Sequence, residues 1–236
     1  MQKLELDKSN GGHREPSEVV SRYLEAIYYM WSEKEPLRGA RLADWLGVSR
    51  PTVTVALRRM TRDGLVRMNG HKEIELTPDG MGMAESIVRR HRIMERWLTD
   101  GLGLDWVTAD LEAARLEHAV STVVEERLYE VLGRPATCPH GNPIPGHSEA
   151  SPREVTLASL RGGSRASVSR VSEVAEREAP PLLAYLDQRG LVPGREVTVE
   201  EVDEVGKTLR VRVGERELTL SHETASKVWV IPDTAA

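Results

Sequence analysis

Apolar residues recur at helical spacing between Ser17 and Ser32, at Val20, Leu24, Ile27 and Trp31, and this predicts a first helix with one buried face. A second helix is expected from Gly39 to Leu46, with Leu42, Ala43 and Leu46 on its inner side. Gly47 then supplies the positive φ that a sharp turn between helices needs. Ser49 is a good N-cap, and Pro51 falls in the first turn, where its missing N–H costs nothing. The third helix runs to Asp63, burying Val53, Leu57 and Met60 and turning Arg50, Thr52, Thr54, Val55, Arg58, Arg59 and Arg62 outward. Gly64 stops it. Leu65 and Val66 begin a strand, Asn69-Gly70 signals a type I′ turn, and Ile74-Glu75-Leu76 returns. Two short helices, a tight turn and a hairpin in this order predict a winged helix-turn-helix.

A long helix follows, with Thr77 as N-cap, Pro78 in the first turn and an end near Asp100. A further helix is expected over Thr108 to Ala119, and the helical pattern continues to about Leu132. The Pro- and Gly-rich stretch CPHGNPIPGHSEASP, Cys138 to Pro152, reads as a hinge or linker. Beyond it the period changes to two, in Glu196–Glu200 and Leu209–Val213, with a turn at Gly214 and one helix near Pro181 to Gln188. Short strands at this spacing predict a small β-barrel. The chain is thus an α+β multidomain protein, divided at 1–80, 81–137, a linker at 138–152, and 153–236.

No run approaches 18 apolar residues, and the N-terminus shows no export signal, so the expected location is the cytoplasm, away from membranes. A single cysteine, Cys138, suits that compartment. The net charge of −5 alone argues against nucleic acid. Residues 36–72, however, hold eight Lys or Arg against Asp44 and Asp63, a net +6, which leaves −11 for the remainder. A basic segment in an acidic chain is the footprint of a DNA-reading unit. On it, Ser49, Arg50, Thr52 and Thr54 suit phosphates or base edges, Pro51 and Val55 suit thymine methyl groups, and Arg59, Arg62 and Arg67 suit the backbone. Farther on, His91 and Glu95 share a helix face, and Asp110, Glu117 and His118 sit on the next helix, a donor set for Mn²⁺, Fe²⁺ or Zn²⁺. A solvated helix pair and a surface dyad explain the same spacing. A metalloenzyme would also need a nucleophile or a phosphate loop, and none accompanies these residues.

The strings YLEAIY (Tyr23–Tyr28), SRPTVTVALRRMTRDGLV (Ser49–Val66), RRHRIMERWL (Arg89–Leu98), EAARLEH (Glu112–His118) and CPHGNPIPG (Cys138–Gly146) resemble the diphtheria toxin repressor and iron-dependent regulator family, with the manganese transport regulators as shorter relatives. The resemblance implies a winged helix domain, a helical dimerisation domain with two metal sites and an SH3-like C-terminal domain. It also implies a homodimer that binds palindromic double-stranded operators, with half-sites about one helical turn apart, and represses metal-uptake genes when Fe²⁺ or Mn²⁺ is abundant. Trp97, Leu98, Leu102, Leu104 and Trp106 then supply apolar surface for a dimer interface.

Carried over by position, the ancillary metal site takes His91, Glu95 and Asp110 (usually a histidine), with Glu178 from the SH3-like domain and Pro181 where a glutamine is usual. The primary site keeps Glu117 and His118. Ala114 stands where a cysteine or glutamate is expected, and Arg22 where a methionine or aspartate is expected. A guanidinium repels a divalent ion. Two readings follow: Arg22 replaces the ion by pairing with Glu117, giving a regulator independent of metal, or Glu25, one turn along, supplies the missing carboxylate as it does in manganese regulators. In a third, Arg22 faces solvent and Glu25 is surface decoration. Val55 stands where the family often has a base-reading glutamine, so the operator is expected to differ.

Overall fold

The computed structural model describes residues 16–174 and 180–233. Helix α1 (Glu18–Ser32) buries Leu24, Ile27 and Met30 in the first core, against α2 (Gly39–Leu46) and α3 (Arg50–Arg62). Gly47 caps α2 in the left-handed region at φ 66°, and the Ser49 hydroxyl accepts the Thr52 N–H at the start of α3. Val53 and Met60 face the core, with Leu57 half-buried. Truncating a fully buried Leu or Ile here to Ala costs roughly 2–5 kcal/mol.

Strands β1 (Val66–Met68) and β2 (Ile74–Leu76) form the wing, but not through the two-residue turn expected at Asn69-Gly70. Five residues connect them, and the Asn69 side-chain oxygen accepts the His71 and Glu73 N–H groups, while Lys72 takes the positive φ. The tight turn would have set Arg67 opposite Lys72. The observed register sets Arg67 opposite Glu75, with an ion pair of 2.9 Å, and keeps Val66 and Ile74 on the buried face.

Helix α4 (Pro78–Asp100) starts at the Thr77 cap and packs against α1, α5 (Trp106–Leu116) and α6 (Thr122–Val131). The C-terminal domain is a six-stranded antiparallel sheet in the order β3-β8-β4-β5-β6-β7: β3 (Val155–Thr156), β4 (Arg165–Val171), β5 (Glu196–Asp203), β6 (Thr208–Val213), β7 (Arg216–Ser221) and β8 (Val228–Pro232). Alternate residues such as Val197, Val199, Leu209, Val211, Val228 and Val230 fill its interior. Helix α7 (Pro180–Gln188) and the short α8 (His222–Ser226) close it, giving the SH3-like domain. Among the described residues no helix is long and apolar enough to cross a membrane.

Two expectations change. The first part of the linker is packed rather than loose, with Cys138, His140, Asn142 and Ile144 all buried, while most of 146–152 is exposed. Gly141 explains part of this, because at φ 87° a Cβ would stand 2.1 Å from the Ser169 carbonyl of β4, so only glycine permits the approach. Of the residues expected at a dimer face, Trp97, Leu98 and Leu104 pack into the helical core and Trp106 against the SH3-like domain, leaving only Leu102 exposed.

Candidate metal centre and DNA-reading surface

The reading helix presents Arg50, Pro51, Thr52, Thr54, Val55, Arg58, Arg59 and Arg62 to solvent, with Ser49 exposed at its cap. Val55 is 66% exposed, a free apolar contact on the outer face. Thr54 donates its hydroxyl back to the Arg50 carbonyl, and the Thr52 and Ser49 hydroxyls are 2.8 Å apart. Arg59 and Arg62 both pair with Asp63, at 3.7 and 3.1 Å, and Arg67 pairs with Glu75 on the wing. Such exposed pairs are weak and exchange readily for phosphate.

The second constellation is buried where α1, α4, α5 and the 138–142 loop meet. His91, on α4, stands at its middle. Its Nδ1 lies 2.8 Å from Glu117 and 3.9 Å from Glu25, and its Nε2 lies 3.3 Å from Asp110 and 4.0 Å from Glu95. Tyr29 donates its hydroxyl to Glu25 at 2.9 Å. Glu95 also faces the Nδ1 of His140 at 2.9 Å, and Cys138 Sγ is 4.0 Å from the same nitrogen. The Trp106 and His140 rings meet edge to face, their centroids 4.7 Å apart. Three groups of potential ligands result: Glu25, His91 and Glu117; His91, Glu95 and Asp110; and Glu95, Cys138 and His140.

The electrostatics point the same way. Burial alone pushes the His91 imidazole down, but hydrogen bonds to Asp110 and Glu117 and the charges of Glu117 and Glu95 outweigh it and hold it well above the usual histidine range. Burial pushes Glu95 up, yet the neighbouring His140 and His91 bring it below the usual carboxylate range. Burial and the Glu25 carboxylate drive the Tyr29 phenol upward. Gathering Glu25, Glu95, Asp110 and Glu117 around two imidazoles in a largely buried site is costly without further positive charge. Carboxylate and imidazole donors with one nearby thiol fit a divalent transition metal.

Three family models match in chain order: the DNA-binding domain of iron-dependent repressors over residues 16–74, their metal-binding and dimerisation domain over 77–146, and the FeoA domain over 155–232. The iron-dependent repressor IdeR of Mycobacterium leprae is 40% identical over 225 residues, covering 90% of this chain and 96% of its own. The chain belongs to the iron-dependent repressor family. The diphtheria toxin repressor of Corynebacterium diphtheriae is 44% identical over 133 residues, 56% of this chain and 58% of its own. Among solved structures, a manganese-dependent transcriptional repressor in complex with manganese superposes with a TM-score of 0.81 at 30% identity, covering 90% of this chain and 99% of its own. IdeR from T. acidophilum superposes at 0.76 and 28%, covering 94% and 100%.

In this family member the structure brings His91, Glu95 and Asp110 together as the sequence implied. Glu178 lies outside the described residues. Glu117 is buried, and His118 is less so, its Nε2 3.4 Å from Glu117. Arg22 is a correction. It is exposed, while Glu117 is engaged by His91 and His118, so the Arg22–Glu117 pair expected of a metal-independent regulator does not form. Arg22 stands one turn before Glu25, near the exposed start of α1, whereas Glu25 and Tyr29 lie farther along in the buried part of the helix. Glu25 takes the inward place and is buried, which also removes the reading of it as surface decoration. The sequence reading missed Cys138 and His140, absorbed into a Pro- and Gly-rich loop. A thiol and an imidazole two residues apart were the available signal.

Proposed function

We propose that this chain is a homodimeric repressor that binds a palindromic double-stranded DNA operator in the cytoplasm when a divalent metal is abundant. The observation that carries the reading is that Glu25, on a helix of the DNA-reading head, shares one cluster with His91 and Glu117 of the helical domain. An ion held by these three would tie the head to the dimerisation domain and so set the position of the reading helix. Its carboxylate-rich donors favour Mn²⁺ or Fe²⁺. His118 borders this set. A second ion would be held by Glu95 with either Cys138 and His140, where the thiol would favour Fe²⁺ or Zn²⁺, or Asp110 and His91, whose ring would then have to bridge the two ions as imidazolate. The relatives are named as repressors, some iron- or manganese-dependent, which supports a regulator of iron or manganese homeostasis rather than an enzyme.

Ser49, Arg50, Thr52, Thr54 and Arg67 position the head on phosphates, with Arg59 and Arg62 as the main anchors, and Pro51 and Val55 face thymine methyl groups. Exposed Leu111, Val123, Val124 and Val131 on α5 and α6 support a dimer contact there. The test begins with operator sequences selected from a random DNA pool. Binding is then measured by fluorescence anisotropy with chelator and after restoring Mn²⁺, Fe²⁺ or Zn²⁺. Metal should tighten binding at least tenfold, about 1.4 kcal/mol. Equal affinity under all conditions overturns the reading.

A further inference from the structure

We propose that Ser172, Glu173 and Val174, where β4 leaves the sheet, form a clasp through which the SH3-like domain holds the DNA-reading head against the helical domain. The three consecutive residues grip two other modules. The Ser172 hydroxyl donates to Glu33, the C-cap of α1, at 2.6 Å, and the Val174 N–H reaches the other oxygen of Glu33 at 3.4 Å. The Val174 side chain is fully buried in the hydrophobic cluster that joins the reading head to Ala84, Ile87 and Val88 of α4, a plug from one domain in the shared core of two others. Between them Glu173 accepts from Arg92 of α4, Nε at 2.8 Å, in a buried ion pair. The same guanidinium donates to the Pro143 carbonyl and lies over the Tyr28 ring of α1, its carbon 5.7 Å from the centroid.

The clasp is also fastened to the loop that carries Cys138 and His140. The Val171 N–H donates to the His140 carbonyl, and the Asn142 amide donates to the Val171 carbonyl. Helix α1 is therefore held at two places: at Glu25 inside the ligand cluster, and two turns later at Glu33 by the clasp. Fixing Glu33 restricts the rotation and tilt available to Glu25, so the clasp pre-positions that carboxylate before any ion arrives. A buried ion pair of this kind contributes little net stability, and its geometric constraint is its more useful property. Through the clasp the SH3-like domain acts on the reading head. The inference rests on the proposed role of Glu25 as a ligand.

The experiment compares Glu33→Ala, Glu33→Gln and Val174→Ala in the full-length chain by amide hydrogen exchange with chelator present and by calorimetric titration with Mn²⁺. In metal-free protein, Glu33→Ala and Val174→Ala should speed exchange in α1 about tenfold, with β5 and β6 unchanged. Glu33→Gln keeps an acceptor and should restore wild-type exchange. The Mn²⁺ affinity of Glu33→Ala should fall roughly tenfold, within the usual range of coupling between sites. Unchanged α1 exchange in both Glu33→Ala and Val174→Ala overturns the clasp. Glu25→Gln separates the two readings: if it binds Mn²⁺ as tightly as wild type, the ligand assignment fails, while the exchange data still judge the clasp.

Discussion

Helix α3 carries its functional side chains on the outside of one continuous segment, whereas the buried cluster draws its donors from α1, α4, α5 and a loop spread over more than a hundred residues. On the helix the arginines are exposed, and Arg59 and Arg62 pair with an acid that water already screens, so one substitution disturbs little else. In the cluster, the four carboxylates are placed by the packing of three helices against one another, and removing one leaves its neighbours uncompensated. The reading surface is therefore expected to respond to change in small, additive steps, and the cluster in large, coupled ones.

The largest effect should come from His91→Ala, which empties the centre of two of the three ligand groups. Mn²⁺ affinity by equilibrium dialysis should drop at least about 100-fold, beyond the 10- to 100-fold usual for the partners that merely orient ligands. Equal binding by wild type and variant would erase the contrast. Next comes Cys138→Ser combined with His140→Ala. If the loop completes a second centre, metal per protomer by elemental analysis should fall from two to one while the Glu25 group still loads. A ratio that stays the same places the second ion with Asp110 instead.

Smaller changes are expected on the reading helix. Arg59→Ala and Arg62→Ala should each weaken binding to every DNA sequence alike. The slope of log affinity against log salt should shrink by about 0.9 for each phosphate that is no longer neutralised. Their Mn²⁺ affinity without DNA should not move, and any shift beyond twofold would show that helix and cluster are not separable. The smallest effect belongs to Arg22→Ala. The side chain is exposed, so the metal dependence of operator binding should stay within about twofold. If this variant instead abolished a metal-independent mode of binding, the pairing absent from the structure would be restored.

Most of the reading head was legible because its determinants are local. Ser49, Pro51, Gly47 and the apolar spacing of Val53 and Met60 each act on backbone within a turn or two. The wing turn was misread for the same reason in reverse: Asn69-Gly70 favours a tight turn in isolation, but the Arg67–Glu75 pairing and the burial of Ile74 selected a wider one. In the cluster, spacing along α4 and α5 could group His91 with Glu95 and Glu117 with His118. It could not say which side chain of α1 points inward.

By itself the sequence determined the order of elements, the basic reading helix and the residue types from which a metal centre could be built, since periodicity, capping and charge are properties of short segments. The tertiary structure alone decided between Arg22 and Glu25, brought Cys138 and His140 to Glu95, and set Val174 in the shared core of two other domains. Those outcomes depend on how α1 is rotated against α4 and on how closely β4 approaches Gly141. Such quantities arise from packing between distant segments, and no local pattern encodes them.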